Sequence, residues 1–476
     1  MKRILLSVFA AAITAAWVVP VSAADVTFSG QYRLRGEYRN NADFTKSVAA
    51  PGSANDHNDF WDQRVRLTAN AKATDDTTVK ITLQDSRRWG ATQSAAGGPG
   101  LTDTGGAAVA AGGATSASNT LDLHESFVNV DNLFGAPVSF RAGRQELNYG
   151  DQRLVGSFGW SNNGRSFDAL KLTYKSEIVD VDLFESKVRE STTTNTDQDF
   201  YGLYATVKAI PNNTLDLYVL GLRDNLHNTT PFGWDAGKLA STTVLGTAKE
   251  PEKLYTYGVR LNGAFQALDY TVEVPFQAGT VKTDSTVTNN YKFGGYAYAV
   301  KAGYALPTPV KVRVGAEYDF ASGDKDGSTA TADSKVKTFF NLFPTNHDKL
   351  GYMDQQAWRN VKAWNLNVKA DVNEKLSLYA AYWNFKLAQK QDAWYSASNW
   401  NNNPTGIRAA SATNQQTNIG NEIDLVASYK YNNAVSAELG YGRFSAGKFV
   451  KEKITATAGS EKGDQDFAYL MLTANF

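Results

Sequence analysis

Residues 26–39 read Val-Thr-Phe-Ser-Gly-Gln-Tyr-Arg-Leu-Arg-Gly-Glu-Tyr-Arg, with apolar or small residues at every second position and polar residues between them. Successive side chains of a β-strand point to opposite faces, so one face of this segment is apolar and the other is charged. The same alternation returns in residues 61–71, 79–84, 310–319 and 422–431. Long helical periodicity is hard to find, and the pattern therefore predicts an all-β protein.

The complete pattern predicts about eighteen strands joined by connections of alternating length. Their approximate bounds are 26–39, 59–73, 77–89, 121–131, 137–146, 166–175, 178–189, 198–209, 213–223, 253–265, 268–281, 291–305, 309–321, 359–372, 375–388, 418–432, 434–449 and 465–476. Short connections such as 74–76 and 431–433 alternate with long ones such as 90–120, 147–165 and 322–358. Short periplasmic turns and long extracellular loops are typical of outer-membrane barrels, so we expect a single closed antiparallel transmembrane β-barrel.

The first residues are typical of a secretory signal peptide. Lys2 and Arg3 precede an apolar stretch that runs to about Pro20, and small residues follow at 21–24. We expect a signal peptide over 1–24 and an outer-membrane β-barrel over 25–476, in the outer membrane of a Gram-negative bacterium. Phe476, at the end of an alternating strand, resembles the signal by which the outer-membrane assembly machinery recognises barrels. Outer-membrane lipid and lipopolysaccharide are the other expected partners.

Bulk composition argues against several other classes of protein. The chain contains no cysteine, which excludes a disulfide framework. Its 48 basic and 48 acidic side chains balance, which argues against binding to nucleic acid. A secreted β-sandwich would also show alternation. At this length, however, it would need several domains and would not need the rhythm of short and long connections.

The charged face of the strands indicates what a channel would conduct. Five arginines share the inward face of the first two strands: Arg33, Arg35, Arg39, Arg64 and Arg66. Glu273 and Glu317 face inward on the far side of the predicted barrel, which suggests a transverse field across the pore. Guanidinium groups bind carboxylates with two hydrogen bonds, so the basic wall suits a carboxylated sugar or another small organic anion. The alternative is that these arginines only pair with Glu37, Asp62 and the acids of the last strands.

The aromatic residues have a structural interpretation. Many fall on the apolar face and predict girdles at the two membrane interfaces: Tyr32, Tyr38, Trp61, Tyr174, Tyr296, Tyr304, Tyr318, Tyr382 and Tyr429. Tyr204, Tyr218 and Tyr379 face inward without obvious alignment. Of the long loops, 90–120 and 147–165 are the candidates to fold into the lumen.

Several segments resemble the alginate export family of outer-membrane barrels. The most recognisable is 143–156, Gly-Arg-Gln-Glu-Leu-Asn-Tyr-Gly-Asp-Gln-Arg-Leu-Val-Gly, followed by 160–168. Residues 343–354 and 420–425 match further along the chain. The resemblance implies a monomeric barrel of eighteen strands, and alginate-secreting members conduct a polyanion through an arginine-rich constriction.

By this resemblance, the matching motif supplies further pore residues: Arg144, Arg153 and Arg165, with Asp151 and Asp168 to orient them. The sequence departs from alginate secretors at 431–433, where a short turn replaces their long periplasmic plug loop. This difference favours a porin for passive diffusion of small anionic solutes or uronate chains. A dedicated exporter of alginate or another exopolysaccharide is the alternative.

An outer-membrane hydrolase is the rival from another class. It would need a nucleophile, a base and an orienting residue in one cluster. The histidines are far apart in sequence, and no Gly-x-Ser-x-Gly stretch accompanies them. Residues 324–327 resemble the start of a calcium loop but lack its later ligands. We therefore expect no catalytic site, cofactor or metal, and we expect His347 to hold the loop 322–358 by hydrogen bonding.

Overall fold

The computed structural model describes residues 25–41, 44–46, 57–89, 121–190, 197–225, 252–282, 290–325, 335–395, 397, 413–453 and 461–476. The expected signal peptide and the loop 90–120 lie outside these residues.

The long strands form a closed barrel of 18 strands, as the alternation predicted. They are β1 Asp25–Asn40, β2 His57–Lys72, β3 Thr77–Arg88, β4 Leu121–Val130, β5 Val138–Gln145, β6 Phe167–Lys175, β7 Val179–Arg189, β8 Gln198–Val207, β9 Asn213–Asp224, β10 Glu252–Phe265, β11 Leu268–Lys282, β12 Ala297–Leu306, β13 Lys311–Ala321, β14 Val361–Asp371, β15 Leu376–Leu387, β16 Asn418–Lys430, β17 Val435–Ala446 and β18 Gln465–Asn475. Short strands lie beside them at Thr45–Lys46, Asn290–Phe293, Lys335–Val336 and Glu461–Lys462.

Each long strand pairs antiparallel with its neighbours in sequence, and β1 closes the barrel against β18. The closing register runs from Gln31 opposite Asn475 to Asn40 opposite Asp466. A short helix, α1 (Lys448–Lys453), follows β17, and a 3-10 turn covers Leu133–Gly135. None of the described helices is long and apolar enough to cross a membrane.

Two strands differ from the alternation in an informative way. The predicted strand 291–305 is interrupted at residues 294–296, so that Asn290–Phe293 and β12 are separate. In β4 the register shifts between Thr82 and Leu83 of its partner, which places a bulge near His124. A bulge inserts one extra residue and changes which face the later side chains occupy, which explains why 121–131 alternates poorly.

The outer face of the barrel is apolar. Leu67 and Val314 are 50% and 40% exposed there, whereas the neighbouring inward residue Arg64 is only 5% exposed. Exposed aromatic side chains border this face, and they include Trp61 and Tyr174 from the predicted girdles. An apolar band between aromatic girdles is the surface that an outer-membrane barrel presents to lipid.

The hydrophobic core lies inside the barrel, towards the ends of the strands that carry the long loops. Phe167, Phe184 and Phe200 point inward from β6, β7 and β8 and are almost fully buried. Phe343, from the segment between β13 and β14, packs against Phe167 and Phe200 with ring centroids 5.6 and 4.8 Å apart. Side chains of the strands and of the segment 337–360 therefore pack together inside the barrel and narrow the extracellular half of the lumen.

Candidate functional site

Two segments fold into the barrel and build a constriction. Inner loop 1, residues 146–166, connects β5 to β6, and inner loop 2, residues 337–360, leads into β14. Inner loop 1 reaches both β1 and β13, on opposite sides of the barrel, through the contacts of Trp160 and Arg153. It therefore crosses the lumen, as was expected for 147–165.

On one side, inner loop 1 is held by the predicted arginines of β1 and β2. Arg33 Nη1 donates to the carbonyl oxygen of Gly159 at 2.7 Å, and Arg33 Nη2 donates to Ser161 at 2.9 Å. Arg64 donates to the same two carbonyls at 3.1 and 3.0 Å. Both guanidinium groups are buried, so these arginines bind the loop and do not stand free in the lumen.

Other arginines of this wall pair partly with acids. Arg35 lies 2.7 Å from Glu37, whose carboxylate also accepts from Arg39 at 2.8 Å. Arg66 donates to Gln84 at 2.7 Å and lies 3.5 Å from Glu146. The alternative of internal pairing thus holds for Arg35 and Arg39 with Glu37.

On the opposite side, inner loop 1 contacts the predicted acidic wall. Arg153 forms ion pairs with Glu317 and, at 2.9 Å, with Asp319. Burial lowers the pKa of Arg153, but Asp319 and Glu317 outweigh it and raise the pKa above its usual range. Glu273, on β11, is buried and accepts a hydrogen bond from the Tyr218 hydroxyl at 2.9 Å.

Asp151 adds a second anchor on this side. Its carboxylate lies 2.5 Å from Arg260 Nη2 and 2.7 Å from Lys301 Nζ. Burial alone would raise the pKa of Asp151, but Lys301 and Arg260 hold it well below its usual range. The residues that the resemblance placed in the motif, Asp151 and Arg153, therefore attach the loop to the wall.

A clasp joins the two inner loops to each other. Val155 and Phe343 form a parallel bridge, and the Gly156 N–H donates to the Phe343 carbonyl at 2.9 Å. Arg165 Nη1 donates to the carbonyls of Gly156, Phe343 and Pro344 at 3.0, 2.7 and 2.9 Å. Burial lowers the pKa of Arg165 to about 9. Arg165 thus holds the loops together.

His347 and Trp160 form a second contact between the inner loops. Their rings are parallel within 6°, with centroids 3.7 Å apart. His347 Nδ1 lies 3.0 Å from Asp354, within its own loop, and the Arg35 guanidinium lies 3.9 Å from the Trp160 ring. His347 therefore holds inner loop 2 by a hydrogen bond, as expected, and it also stacks on inner loop 1.

Two residues of the motif lie elsewhere. Arg144 and Asp168 form an ion pair of 3.3 Å on the outer face of the barrel. The expectation that both residues line the pore is therefore wrong. Asp168 shares its face with Leu170, which is 53% exposed, so this face is the lipid-facing one. Strand alternation alone places Arg144 with Ala142 and Phe140, and it indicated the outer face where the resemblance did not.

A buried pair at the start of inner loop 1 was missed from the sequence. His124 Nε2 lies 2.8 Å from Glu146, and Ser166 contacts the other ring nitrogen at 3.3 Å. Burial would raise the pKa of Glu146, but the hydrogen bond from His124 and the charge of Arg66 lower it to about 2. The local signal was the poor alternation around His124, which marks the bulge.

Two cavities lie between the inner loops and the periplasmic turns. One, of about 480 Å³, is lined by β4 to β9 and includes Arg141, Lys171 and Tyr204. The other, of about 860 Å³, is lined by β13 to β17 and includes Lys369 and Lys430. Within the described part of the chain, no group of three or more His, Asp and Glu residues is arranged to hold a metal.

Two of the three inward tyrosines are aligned, contrary to the expectation from the sequence, whereas Tyr379 packs beside Tyr352. Tyr204 and Tyr218 are parallel within 2°, with ring centroids 5.4 Å apart. Tyr149 of inner loop 1 stacks on Tyr204 at 4.5 Å and donates its hydroxyl hydrogen to Asp182 at 3.0 Å. This stack supports the loop above the smaller cavity.

The sequence matches one family model over nearly its whole length. The model of the family described as alginate export matches residues 24–464. The chain belongs to this family. Its barrel is similar to solved porins of Pseudomonas aeruginosa, which fits an outer-membrane protein of Gram-negative bacteria. No curated protein matches the chain in sequence.

The solved structures share the fold at low identity. The outer membrane protein OprD is 10% identical with a TM-score of 0.54, covering 96% of this chain and 95% of its own. OccK9 (OpdG) is 12% identical with a TM-score of 0.57, covering 95% and 98%. OccK8 (OprE) is 13% identical with a TM-score of 0.53, covering 94% and 98%. All three are from Pseudomonas aeruginosa.

Proposed function

We propose that this channel conducts small anionic solutes, such as carboxylated sugars, by passive diffusion. The observation that carries the proposal is that Arg33 and Arg64 donate to peptide carbonyls and side-chain amide oxygens, and to no carboxylate of the described residues. A carbonyl satisfies the hydrogen bonds of a guanidinium group without cancelling its charge. The basic wall therefore keeps a positive field that extends into the lumen.

The two walls differ in their charge balance. On β1 to β4 and the start of inner loop 1, seven cations lie near four carboxylates: Arg33, Arg35, Arg39, Arg64, Arg66, Lys80 and Arg88 lie near Glu37, Asp62, Glu125 and Glu146. The inward acids Glu422, Asp424 and Glu438 lie further round the wall, on β16 and β17. On the opposite side carboxylates prevail narrowly: Asp151, Asp216, Asp269, Glu273, Glu317 and Asp319 lie near Arg153, Arg260, Lys301, Lys311 and Arg313. This separation supports a transverse field, which orients a solute that carries a carboxylate at one end.

The family description keeps a dedicated exporter of alginate as the second candidate. Two observations favour the porin. The turn after β16 is tight, with the Asn432 side chain accepting from Ala434 and Val435 at 2.9 and 2.7 Å, so no long plug loop stands there. In addition, the clasped inner loops divide the lumen, which suits a small solute better than a continuous polymer.

Ion selectivity in planar bilayers tests the proposal. We expect the reversal potential of the wild type to indicate a preference for chloride over potassium. Exchanging the partly exposed Arg39 and Arg66 for Gln should lower the anion-to-cation permeability ratio by about half, because both charges face the lumen. Arg87→Gln, on the outer face, is the matched control and should change nothing.

Two results would contradict this function. One is a wild-type channel that prefers cations, and the other is an unchanged ratio in the double variant. Uronate oligomers separate the two candidates, since a porin should pass short ones and be blocked by long ones. Passage of long chains would favour the exporter.

A further inference from the structure

A row of charged residues crosses the outer face of the barrel from β5 to β10. Its members are direct cross-strand partners in the order Arg144, Asp168, Lys187, Asp199, Arg223 and Lys253. We call this set the outer charged row. None of these residues faces the lumen, because they share their faces with exposed apolar residues such as Leu170, Leu203 and Val219.

Most of the charged groups in the outer charged row form ion pairs with one another. Arg144 pairs with Asp168 at 3.3 Å, and Lys187 lies 2.6 Å from Asp199. Arg223 contacts the other oxygen of Asp199 at 3.4 Å. Lys187 also lies 3.3 Å from Glu190.

The end of the row is different, because two cations face each other. Arg223 and Lys253 are opposite residues of β9 and β10. Lys253 is exposed and has no partner among the described residues, and the Arg223 side chain is 38% exposed. Like charges directly opposite each other destabilise a sheet, and their β-carbons lie only about 5 Å apart. An anion bound between them would remove this repulsion.

Aromatic residues fix the level of the row in the membrane. Tyr201 and Tyr255 lie two residues below Asp199 and Lys253 on the same face, with ring centroids 6.5 Å apart. Gly221 lies between them, and a β-carbon there would meet the Tyr201 ring at 2.3 Å. Tyrosines of this kind mark the interface between the hydrocarbon and the headgroups. The row therefore lies at headgroup level on the extracellular side.

We propose that Arg223 and Lys253 bind a phosphate of lipopolysaccharide, with the rest of the outer charged row holding Arg223 in position. The outer leaflet supplies phosphorylated lipid at this level. Arg provides a planar fork of donors for phosphate, and Lys adds a point charge. The site is on the opposite face of the wall from the lumen and does not depend on the conducted solute.

Binding of lipid A to the purified full-length barrel in detergent tests the proposal. The wild type should bind lipid A more tightly than lipid A stripped of its phosphates. Exchanging both Arg223 and Lys253 for Gln should weaken lipid A binding about tenfold, since each cation near a headgroup contributes comparably. Exchanging Lys369 and Lys430 for Gln removes the same charge from the lumen side and should leave binding unchanged.

Two further variants separate binding from a structural role. Lys253→Gln alone breaks no internal ion pair, so it should weaken binding about threefold. It should also leave the thermal stability of lipid-free barrels unchanged or slightly higher, because it relieves the repulsion. Asp199→Asn breaks the ion pairs with Lys187 and Arg223 but keeps all the cations, so it should weaken lipid A binding less than the double variant does.

The proposal is overturned if the double variant binds lipid A as the wild type does, or if removing the phosphates makes no difference. It is also overturned if Lys253→Gln destabilises the lipid-free barrel while Asp199→Asn abolishes binding, because the row would then act only through its ion pairs.

Discussion

Arg165 acts as the donor that joins the two inner loops. Its Nη1 serves the carbonyls of Gly156, Phe343 and Pro344, and its side chain is buried. Removing a buried donor leaves acceptors unsatisfied, which costs about 1–3 kcal/mol for each group left without a partner. Arg165 thus adds side-chain hydrogen bonds to the backbone bridge that already joins the two inner loops.

We expect Arg165→Ala to loosen the clasp by about 3 kcal/mol, because several carbonyls lose their donor together. Faster hydrogen exchange in residues 153–166 and a noisier open-channel current would show it. Arg165→Lys is the control, since it keeps the charge and part of the hydrogen bonding. Equal exchange in Arg165→Ala and the wild type would contradict this role.

Asp151 should make the attachment of inner loop 1 dependent on pH. Lys301 and Arg260 hold the pKa of Asp151 well below its usual range, which is about 4 in the unfolded chain. A lowered acid pKa stabilises the folded state above about pH 4, and this stabilisation is lost as the pH falls towards the folded-state value. Thermal unfolding in micelles at pH 7 and pH 3 measures the loss.

In Asp151→Asn the unfolding midpoint should fall less between these two pH values, because the variant has no carboxylate to protonate. Asp59→Asn, an exposed change on the outer face, should keep the wild-type profile. If the unfolding midpoints of the wild type and Asp151→Asn fell equally between pH 7 and pH 3, Asp151 would not anchor the loop.

At the residue scale, the sequence located charges better than it located their partners. Alternation placed Arg33 and Arg64 on the inward face, where they lie. It could not show that carbonyls of residues 159–161 bind them, since that contact depends on the path of a loop. Arg153 pairs with Glu317, far along the chain, and no local pattern reports such a pair.

Among the elements, the β4–β5 hairpin depends on a glycine. Gly143 has a φ of 127°, and a β-carbon there would lie 2.3 Å from the Ser126 carbonyl oxygen. L-residues with side chains rarely adopt this conformation. The backbone of β4 can approach Gly143 this closely because glycine has a hydrogen atom where other residues have a β-carbon.

Gly143→Ala should therefore destabilise the barrel by about 1–3 kcal/mol through strain and displaced pairing. Urea unfolding in micelles measures this. Gly159→Ala is a matched control, since a β-carbon there meets nothing within 4 Å and the carbonyl that Arg33 uses is retained. A similar loss of stability in both variants would refute the steric explanation.

The strands were predictable because the alternation that identifies a strand lies within that strand. A period of two over ten residues reports both conformation and facing, as in β1 and β13. The packing of side chains inside the extracellular half of the barrel was less visible, although 217–222, Leu-Tyr-Val-Leu-Gly-Leu, is apolar on both faces. Such a segment is buried on one side and exposed to lipid on the other, and the sequence alone does not distinguish this from a soluble core.

Over the whole molecule, successive residues of each strand face different environments, with lipid on one side of the barrel wall and the lumen on the other. Leu67→Arg places a charge in the apolar band and should cost about 2–4 kcal/mol. Asn70→Arg places the same charge on the inward face of the same strand and should cost little. Unfolding from lipid vesicles compares them, and equal costs would mean that the two faces do not differ in environment.

The packing of Phe343 between Phe167 and Phe200 has a consequence for the order of folding. These rings come from distant parts of the chain and meet only when the cylinder is nearly shut. We therefore expect the interior to be completed last, after the hydrogen-bonded wall. Until then the aromatic lining is wetted, which makes the half-assembled cylinder the species most prone to aggregate.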